Sequence, residues 1–414
     1  MNILWLTWKD AEHPRAGGAE IVNEELAQRL VRDGHEVIFI VGGFQGSAGE
    51  EMRDGFKIIR LGNRFTVYWQ AYRYYQKHLE NWPDLVIDEV NTIPFFSSLY
   101  VQCHPEPDEG SRKQKTILFI HQLARQIWFY ELPFPFSLIG YLLEPLYLRL
   151  LNNQTVITVS QSTKSDLLRY GFKDSNIHII PEGIGIAALN ELPPKTFDFY
   201  PVEYGKAVPQ SGIQQGKPIT LLALGELRAM KRVDHVLKAF ETIRKPHLPP
   251  LTKGRTEEGS QPSEYCKLII AGSTDGSYAK KILRMIARSP FTRDITLVGR
   301  VSDEQKLSLL RQSHLLCVTS VKEGWGLVVT EAASQGTPAI VYNVDGLRDS
   351  VRHRETGFVC EENSPKCLAE NIMKLLSNPA EYERLRKKAW EWSRKFTFER
   401  SYQVFKEILT IALK

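Results

Sequence analysis

The chain contains few of the residues that cross-link a protein or anchor it in a membrane. Its five cysteines are odd in number and include no C-x-x-C pair, so the sequence predicts neither a disulfide framework nor a zinc site and indicates a reducing, cytoplasmic compartment. No run of about eighteen apolar residues occurs, and the N-terminal stretch has no basic lead, so neither a membrane span nor a signal peptide is expected. There is also no Asp-x-Asp triplet and no His/Asp cluster with metal-ligand spacing, so no metal cofactor is expected.

Charge is distributed unevenly along the 414 residues, which carry a net charge of +5. Residues 1–186 hold 18 Lys and Arg against 22 Asp and Glu, whereas the remainder holds 35 against 26. A basic second half suits a ligand that carries a diphosphate, although solubilising lysines in the C-terminal helices account for it equally well. Nucleic-acid binding is not expected, because no arginine-rich stripe or known binding motif is present.

Short apolar runs alternate with amphipathic helical patterns from one end of the chain to the other. This alternation predicts two doubly wound α/β domains with parallel sheets, at residues 1–185 and 218–395. Residues 186–217, rich in Pro, Gln and Gly, are predicted to link them, and residues 396–414 to form a C-terminal helix. Residues 246–264 are polar and rich in Pro and Gly, which indicates a surface insertion.

Two carboxylates eight positions apart, Glu323 and Glu331, stand in the most informative segment of the second half. An apolar run precedes them and Gly336-Thr337-Pro338 follows, which predicts a strand, a glycine loop and a helix. We expect Glu323 at the mouth of the helix and Glu331 two turns along, where they would bind separate hydroxyls of an elongated, sugar-bearing ligand. Gly324 and Gly326 would let backbone amides face an anion at the helix N-terminus. Such a pair alone is typical of a solvated helix; the glycines and the preceding strand favour a ligand site.

The Glu-Gly-Trp-Gly sequence from Glu323, with Glu331, resembles the donor-site signature of retaining family 4 glycosyltransferases. Further stretches agree with that family in order and spacing: Gly17-Gly18-Ala19-Glu20, Val159-Ser160, Ser165-Asp166-Leu167, Ile180-Pro181-Glu182-Gly183-Ile184, Gly225 through Lys231-Arg232-Val233-Asp234, Asp345-Gly346-Leu347-Arg348-Asp349 and Glu355-Thr356-Gly357-Phe358. The resemblance covers nearly the whole chain. It implies a GT-B fold, in which two Rossmann-like domains face an interdomain cleft and the terminal helix crosses back onto the N-terminal domain.

The resemblance also implies a function. A hexose would pass from a UDP- or GDP-sugar to a glycan or a lipid-linked acceptor, with retention of the anomeric configuration. Such an enzyme would be cytoplasmic, with a possible contact on the inner face of the membrane. The site residues that follow are four catalytic candidates, His121, Arg228, Lys231 and Glu323, and eight donor-binding candidates, Gly17, Gly18, Arg300, Gly324, Trp325, Gly326, Leu327 and Glu331.

The leaving diphosphate requires a charge sink, because bond cleavage places more negative charge on an already anionic group. Without a metal site, Arg228, Lys231 and the helix N-termini near Gly18 and Gly324 are the candidates. Family members usually place an arginine directly after the glycine of the loop at Gly225, whereas this chain has Glu226 there. A carboxylate about 4 Å from a phosphate charge would cost on the order of 4 kcal/mol at an effective dielectric near 20. We therefore expect Glu226 to point away and Arg228 to replace the missing cation.

The remaining roles come from the resemblance. A histidine at the position of His121 faces the transferred sugar in the family, although a lone histidine at a strand end is usually structural. Arg300 lies at the position where the backbone of family members surrounds the nucleotide base, and Glu331 would accept hydrogen bonds from the ribose hydroxyls. On the acceptor side, the apolar and aromatic segment Ile127–Leu151 favours core helices, and the aromatic and basic segment Phe65–Trp82 is open between core and membrane surface.

Two alternatives remain on the same fold. A sugar-nucleotide epimerase would need acid/base carboxylates around the sugar and no acceptor cleft, and the glycine loops favour a transferase over it. A non-catalytic protein that binds nucleotide sugars or glycans is supported only by the departure at Glu226.

Overall fold

The computed structural model describes residues 1–101, 115–195, 218–245 and 266–413. The chain divides into two compact units, Met1–Gly185 with Phe396–Lys414 and Ile186–Lys395. The predicted insertion at 246–264, residues 196–217 of the predicted linker and Cys103 lie outside the described residues. The first residues of the predicted linker, 186–195, belong to the second unit: the Leu189 amide donates to the Ser334 carbonyl at 3.1 Å, and Gln335 Nε2 donates to the Ala187 carbonyl at 2.8 Å.

An eight-stranded sheet forms the centre of the first unit, in the order β3-β4-β2-β1-β5-β6-β7-β8. Its strands are β1 (Asn2–Leu6), β2 (Glu36–Val41), β3 (Glu50–Arg53), β4 (Phe56–Arg60), β5 (Leu85–Glu89), β6 (Lys115–Ile120), β7 (Thr155–Thr158) and β8 (Ile177–Ile179). Its helices up to β8 are α1 (Gly18–Arg32), α2 (Val67–Tyr74), α3 (Trp128–Glu131), α4 (Phe136–Leu150) and α5 (Gln161–Arg169). The central strands are mainly apolar because both faces of the sheet are covered; all five residues of β5 are buried, including Asp88 and Glu89 at its end.

One strand departs from the parallel sheets that the sequence predicts. β3 pairs antiparallel with β4 through a two-residue turn at Asp54-Gly55, and both turn residues have positive φ, 47° and 88°. An Asp-Gly pair favours this hairpin turn because both central residues must adopt a left-handed backbone. The charged residues of β3 suit a strand at the edge of a sheet. Because β3 has no apolar run, the sequence pattern did not predict it.

The second unit contains a six-stranded, wholly parallel sheet in the order β11-β10-β9-β12-β13-β14. Its strands are β9 (Ile219–Leu224), β10 (Cys266–Ala271), β11 (Ile295–Gly299), β12 (Leu315–Val318), β13 (Ala339–Val341) and β14 (Gly357–Val359). Its helices are α6 (Val233–Arg244), α7 (Ser277–Arg288), α8 (Asp303–Gln312), α9 (Leu327–Ser334), α10 (Leu347–Ser350), α11 (Pro365–Leu376) and α12 (Pro379–Ser393). Several begin at ordinary caps, such as Ser302, whose hydroxyl accepts from the Gln305 amide at 3.2 Å.

The C-terminal helix, α13 (Phe398–Leu413), belongs to the first unit and packs on α1. Phe405 is fully buried, with its ring 6.1 Å from that of Trp5 in β1. At the surface of this contact, Tyr402 Oη and Lys406 Nζ both donate to Asp33, at 2.8 and 2.6 Å. The terminal helix thus crosses back to the N-terminal domain, as expected.

The prediction that Ile127–Leu151 forms core helices is wrong for one side of α4. Ser137, Gly140, Glu144, Tyr147 and Leu148 face the interior, whereas most leucines of the helix are exposed.

Within the described residues, no helix combines the length and the apolar composition that crossing a bilayer requires.

Candidate functional site

The chain reverses its direction of travel across the second sheet between β9 and β12. From β9 it moves outward through β10 and β11, then returns to β12 on the other side of β9 and moves outward again. At such a switch point the loops that follow the two strands diverge, and ligands of open α/β sheets bind beyond the carboxyl ends there. The two loops are residues 225–232 after β9 and residues 319–326 after β12.

A direct contact joins these loops at the switch point. Lys231 Nζ lies 2.5 Å from Glu323 Oε1, and the hydroxyl of Ser320 donates to the same oxygen at 2.5 Å. Both side chains are mostly covered, with 25% of Lys231 and 14% of Glu323 exposed. The fold therefore brings together two catalytic candidates that stand far apart in sequence, and it adds Ser320, which the sequence did not indicate.

The backbone of the first loop is held in place by Thr319, the residue after β12. Its hydroxyl lies 3.0 and 2.9 Å from the carbonyl oxygens of Lys231 and Arg232. Arg232 has a left-handed backbone with φ of 49°, which is sparsely populated by residues with a side chain. Val321 also donates its amide to the Met230 carbonyl at 2.8 Å. These bonds fix the position of Lys231 relative to β12.

Helix α9 begins later than the sequence suggests, at Leu327, with Gly326 as its N-cap at a φ of 92°. A Cβ on Gly326 would lie 2.8 Å from Leu347, so glycine is needed there for both backbone and space. Glu331 is the fifth residue of this helix, about one turn along, and the expected distance of two turns is wrong. The Val329 amide donates to the Gly326 carbonyl at 2.8 Å, and the amides before it, of Leu327 and Val328, face beyond the N-terminus of α9.

The carboxylate of Glu331 is paired with a residue that the sequence did not indicate. Lys306 Nζ of α8 lies 2.5 Å from Glu331 Oε1. Glu331 is 7% exposed, so the lysine supplies the charge that a nearly buried carboxylate requires. No local pattern marks Lys306, because its partner is on the next helix.

The loop after β13 supports the loop after β12. The Glu323 amide donates to the Asp345 carbonyl at 3.1 Å, and Lys322 Nζ lies 2.7 Å from Asp345 Oδ2. Burial would raise the pKa of Asp345, but Lys322 and Arg348 lower it below its usual value. A Cβ on Gly346 would clash with the Glu323 carbonyl, so the close approach requires glycine. Trp325, in the loop after β12, is buried.

Two other cations of the second unit differ in their surroundings. Arg228 Nε lies 3.1 Å from Glu226 Oε2, with about a third of each side chain exposed. Glu226 therefore faces the arginine that was expected to replace a missing cation, and it neutralises that arginine in this conformation. Arg300 is exposed directly after β11, and the structure does not bring it into contact with Lys231 or Glu323.

His121 occupies the corresponding edge of the first unit, one residue after β6. Its Nδ1 lies 3.0 Å from Glu182 Oε1, and its ring stacks on Phe119 with 4.4 Å between centroids. Burial lowers the pKa of His121, but the bond to Glu182 and the nearby carboxylates of Glu182, Glu89 and Glu20 outweigh it, so the pKa is raised above 6.5. Its Nε2 is buried, with no hydrogen-bond partner among the described residues.

The start of α1 is less open to an anion than expected. The Gly17 amide donates to Glu20 Oε2 at 2.6 Å, and this carboxylate also lies 3.0 Å from Lys9 Nζ. The Glu20 carboxylate thus accepts the hydrogen bond from the Gly17 amide that a phosphate would need. The first amide of the helix itself is that of Gly18. Nearby, burial raises the pKa of Glu89 to about 7, and Asn23 donates to that carboxyl group at 2.5 Å.

No group of three or more His, Cys, Asp and Glu side chains that could hold a metal ion occurs in the part of the chain that the structure describes. The cations and helix N-termini above are the groups that these residues offer to a diphosphate.

Comparison with known proteins identifies the family. The sequence model of the group 1 glycosyl transferases matches residues 206–392, and that of glycosyltransferase family 4 matches residues 16–187. N-acetyl-alpha-D-glucosaminyl L-malate synthase from Bacillus anthracis is 23% identical over 421 residues, covering 96% of this chain and 94% of the relative.

Two solved structures show the same fold over nearly the whole chain. Sucrose-phosphate synthase from Thermosynechococcus elongatus has a TM-score of 0.71 at 19% identity and 99% coverage of both chains. HepE from Anabaena, in complex with UDP-glucose, has a TM-score of 0.64 at 16% identity, again with 99% coverage of both.

The fold and the switch-point loops are therefore those of a GT-B enzyme that uses nucleotide sugars. The chain belongs to the family 4 glycosyltransferases. This assignment favours a transferase over the epimerase and the non-catalytic binding protein.

Proposed function

We propose that the protein transfers a hexose from a UDP- or GDP-sugar to a glycan or lipid-linked acceptor, with retention of anomeric configuration and without a divalent metal. The observation that carries the proposal is the contact between Lys231 and Glu323 at the switch point of the second sheet. It places a cation for a phosphate beside a carboxylate for a sugar hydroxyl, which are the two groups that a hexosyl diphosphate presents.

Glu323 is held in an orientation that suits a sugar. Its Oε1 accepts from both Lys231 and Ser320, which leaves Oε2 to accept from a sugar hydroxyl. Lys231 would bind the diphosphate and stabilise the charge that develops on the leaving oxygen. The amides at the start of α9, around Gly324 to Leu327, would contribute in the same direction. Glu323 is thus a substrate-binding carboxylate and not a covalent nucleophile.

The nucleoside would extend along α9. Glu331 would accept from the ribose hydroxyls with Oε2, since Lys306 binds Oε1. Arg300, exposed after β11, would lie beside the base. In the first unit, His121 would donate from its buried Nε2 to the transferred sugar, because Glu182 accepts from Nδ1 and raises the affinity of the ring for a second proton.

The comparisons support the donor class more closely than the acceptor. HepE was solved with UDP-glucose, so a UDP-hexose is the first donor to test. The Bacillus relative is named as a synthase of N-acetyl-alpha-D-glucosaminyl L-malate. We favour a lipid-linked acceptor, used by a cytoplasmic enzyme at the inner face of the membrane, because of the exposed apolar side of α4.

The test has two steps. Thermal unfolding in the presence of UDP-, GDP- and ADP-sugars identifies the donor, because ligand at 100 times its Kd adds about 2.7 kcal/mol to the free energy of unfolding. The anomer of the sugar formed at early times is then read by NMR, in buffer with and without a chelator. We expect the donor's configuration in the product and equal rates in both buffers. Inversion would refute the retaining mechanism, and chelator-sensitive activity restored by magnesium or manganese would refute metal independence.

A further inference from the structure

A buried carboxylate at the end of β5 lies on the same face of the first sheet as His121. In the register of the sheet, Glu89 is opposite Phe119 of β6, and residues opposite each other in paired strands point to the same face. His121 is two residues after Phe119 and stacks its ring on that of Phe119, so it shares this face. The register thus makes His121 and Glu89, which is 1% exposed, neighbours across β5 and β6.

Helix α1 and the residues after β1 add further polar groups at this face. Asn23 Nδ2 of α1 donates to Glu89 Oε2 at 2.5 Å. Glu20, one turn earlier in α1, accepts from Asn91 Nδ2 at 3.4 Å and lies 3.0 Å from Lys9 Nζ. The charged members of this buried polar cluster are Lys9, Glu20, Glu89, His121 and Glu182, the last of which is bonded to His121.

Three atoms of the cluster are buried without a hydrogen-bond partner among the described residues: Glu89 Oε1, Asn23 Oδ1 and His121 Nε2. A buried carboxylate that has only one oxygen paired is poorly stabilised unless a positive charge lies near it. Burial raises the pKa of Glu89 to about 7, and among the charged groups around it His121 lowers this pKa the most, Glu20 raises it, and Lys9 lowers it least. The ionised form of Glu89 therefore depends more on the ring of His121 than on the ammonium group of Lys9.

The dependence also acts in the other direction. Burial lowers the pKa of His121, whereas Glu182 and, after it, Glu89 and Glu20 raise it. A carboxyl group and an imidazole that stabilise each other's charged form titrate as a pair. A histidine ordinarily loses its second ring proton near pH 6.5, and Glu89 becomes charged over the same range. Glu89 thus counteracts the loss of the proton as the pH rises.

The second ring proton is needed for the role that we propose for His121. Nδ1 lies 3.0 Å from Glu182 Oε1 and donates to it. Nε2 can therefore donate to a sugar hydroxyl only while the ring carries protons on both nitrogens.

We propose that Glu89 is a positioning residue that keeps the second proton on His121, by placing a negative charge beside the imidazolium without touching the substrate. Glu182 orients the ring through a direct bond, and Glu89 acts through its charge from the neighbouring strand. The biological purpose of Glu89 rests on the role of His121 in the proposed transfer. The coupling between the two charges can be measured in the full chain without any substrate.

The first experiment follows the ¹³Cε1 resonances of the ten histidines between about pH 5 and pH 9. The resonance of His121 is identified by its absence in His121→Asn. Glu89→Gln removes the charge and keeps the shape of the side chain, and it should move the titration midpoint of His121 to lower pH by about one unit. Glu89→Asp keeps the charge and should move the midpoint less.

Glu144 of α4 provides the matched control in the same unit. It is also 1% exposed, and burial raises its pKa as it raises that of Glu89. Its carboxylate accepts from the amides of Ala124 and Arg125 at 2.7 and 2.6 Å. Glu144→Gln should therefore leave the midpoint of His121 at the parent value. Circular dichroism and thermal unfolding check that each variant is folded.

The second experiment measures kcat/KM for transfer at about pH 6 and pH 8 with the donor identified above. The ratio of the parent's value to that of Glu89→Gln should increase between these two conditions by up to about tenfold, because a shift of one pKa unit changes the protonated fraction by that factor above both pKa values. A purely structural role of Glu89 would lower kcat/KM by the same factor at both pH values.

An unchanged midpoint of His121 in folded Glu89→Gln would overturn the proposal, as would an equal shift in Glu144→Gln. If Glu89→Gln does not fold, Asn23→Ala replaces it: loss of the bond to Glu89 Oε2 disfavours the charged carboxylate, and an unshifted midpoint of His121 would again overturn the proposal. A shifted midpoint with a pH-independent ratio of kcat/KM would leave the coupling standing and refute the role of His121 in transfer. A shifted midpoint with the increasing ratio supports both.

Discussion

The contact between Lys231 and Glu323 can be tested by a double-mutant cycle on stability and on turnover. At 2.5 Å, with 25 and 14% of the side chains exposed, the two charges attract by about 7 kcal/mol at an effective dielectric of 20. Desolvation cancels much of this, and a hydrogen bond to a charged group contributes about 1.5–3 kcal/mol net. Lys231→Gln and Glu323→Gln should each lower the free energy of unfolding by about this amount. The double variant should lose less than the sum, with a coupling of about 1–3 kcal/mol.

The kinetic consequences of the two substitutions should differ. Lys231→Gln removes a cation from the leaving diphosphate, which should cost about 2–4 kcal/mol of transition-state stabilisation, or about a thirty- to thousandfold loss in kcat/KM. Glu323→Gln should lower kcat while the affinity for free nucleoside diphosphate stays nearly unchanged, because its substrate partners are on the sugar. Steady-state kinetics and calorimetric titration separate the two effects.

A matched control exists at the other end of α6. Arg244 and Asp294 form an ion pair of similar length, 2.6 Å, with 8 and 25% of the side chains exposed. Arg244→Gln should lower stability in the same range and leave kcat/KM unchanged, because Arg244 ends a helix that starts about 18 Å away at the switch point. Turnover reduced equally in this control and in Lys231→Gln would refute the reasoning. The reasoning would also be refuted if the double-mutant cycle showed no coupling energy and both Lys231→Gln and Glu323→Gln retained normal turnover.

Three other predictions concern the remaining groups. Glu331→Ala should weaken nucleoside diphosphate binding by about 1–3 kcal/mol, and unchanged affinity in calorimetry would remove it from the site. Arg228→Gln should weaken donor binding and slow turnover. Glu226→Gln should strengthen donor binding, because the charge of Arg228 is then no longer neutralised by a carboxylate. Weaker donor binding by Glu226→Gln would show that Glu226 orients Arg228 instead. The raised pKa of His121 means that its proton stabilises the fold fully below about pH 6.5 and less as pH rises through the folded-state value. The melting temperature of His121→Asn should thus fall further below the parent's at pH 6 than at pH 8, and equal gaps would contradict the bond to Glu182.

Local pattern predicted most of the architecture. The apolar runs that alternate with helical patterns correspond to the buried strands of both sheets, because buried parallel strands need mainly apolar sequence. The exception is β3, a charged edge strand whose best signal is the Asp54-Gly55 turn. The start of α9 was misplaced for a similar reason: Gly326 caps the helix by a left-handed backbone that composition alone does not locate.

From the sequence it could be predicted that the loops with glycines, cations and carboxylates share one edge of each sheet, because they follow predicted strands and parallel strands point their carboxyl ends to one edge. Which of those groups meet depends on how the strands and helices are arranged in space. Lys231 finds Glu323 because β9 and β12 are neighbours in the sheet, Glu331 finds Lys306 because α8 and α9 pack together, and Arg228 turns to Glu226. The same holds for α4: periodicity reports the width of an apolar stripe, but the bonds made by Glu144 on the opposite side decide that this stripe faces outward.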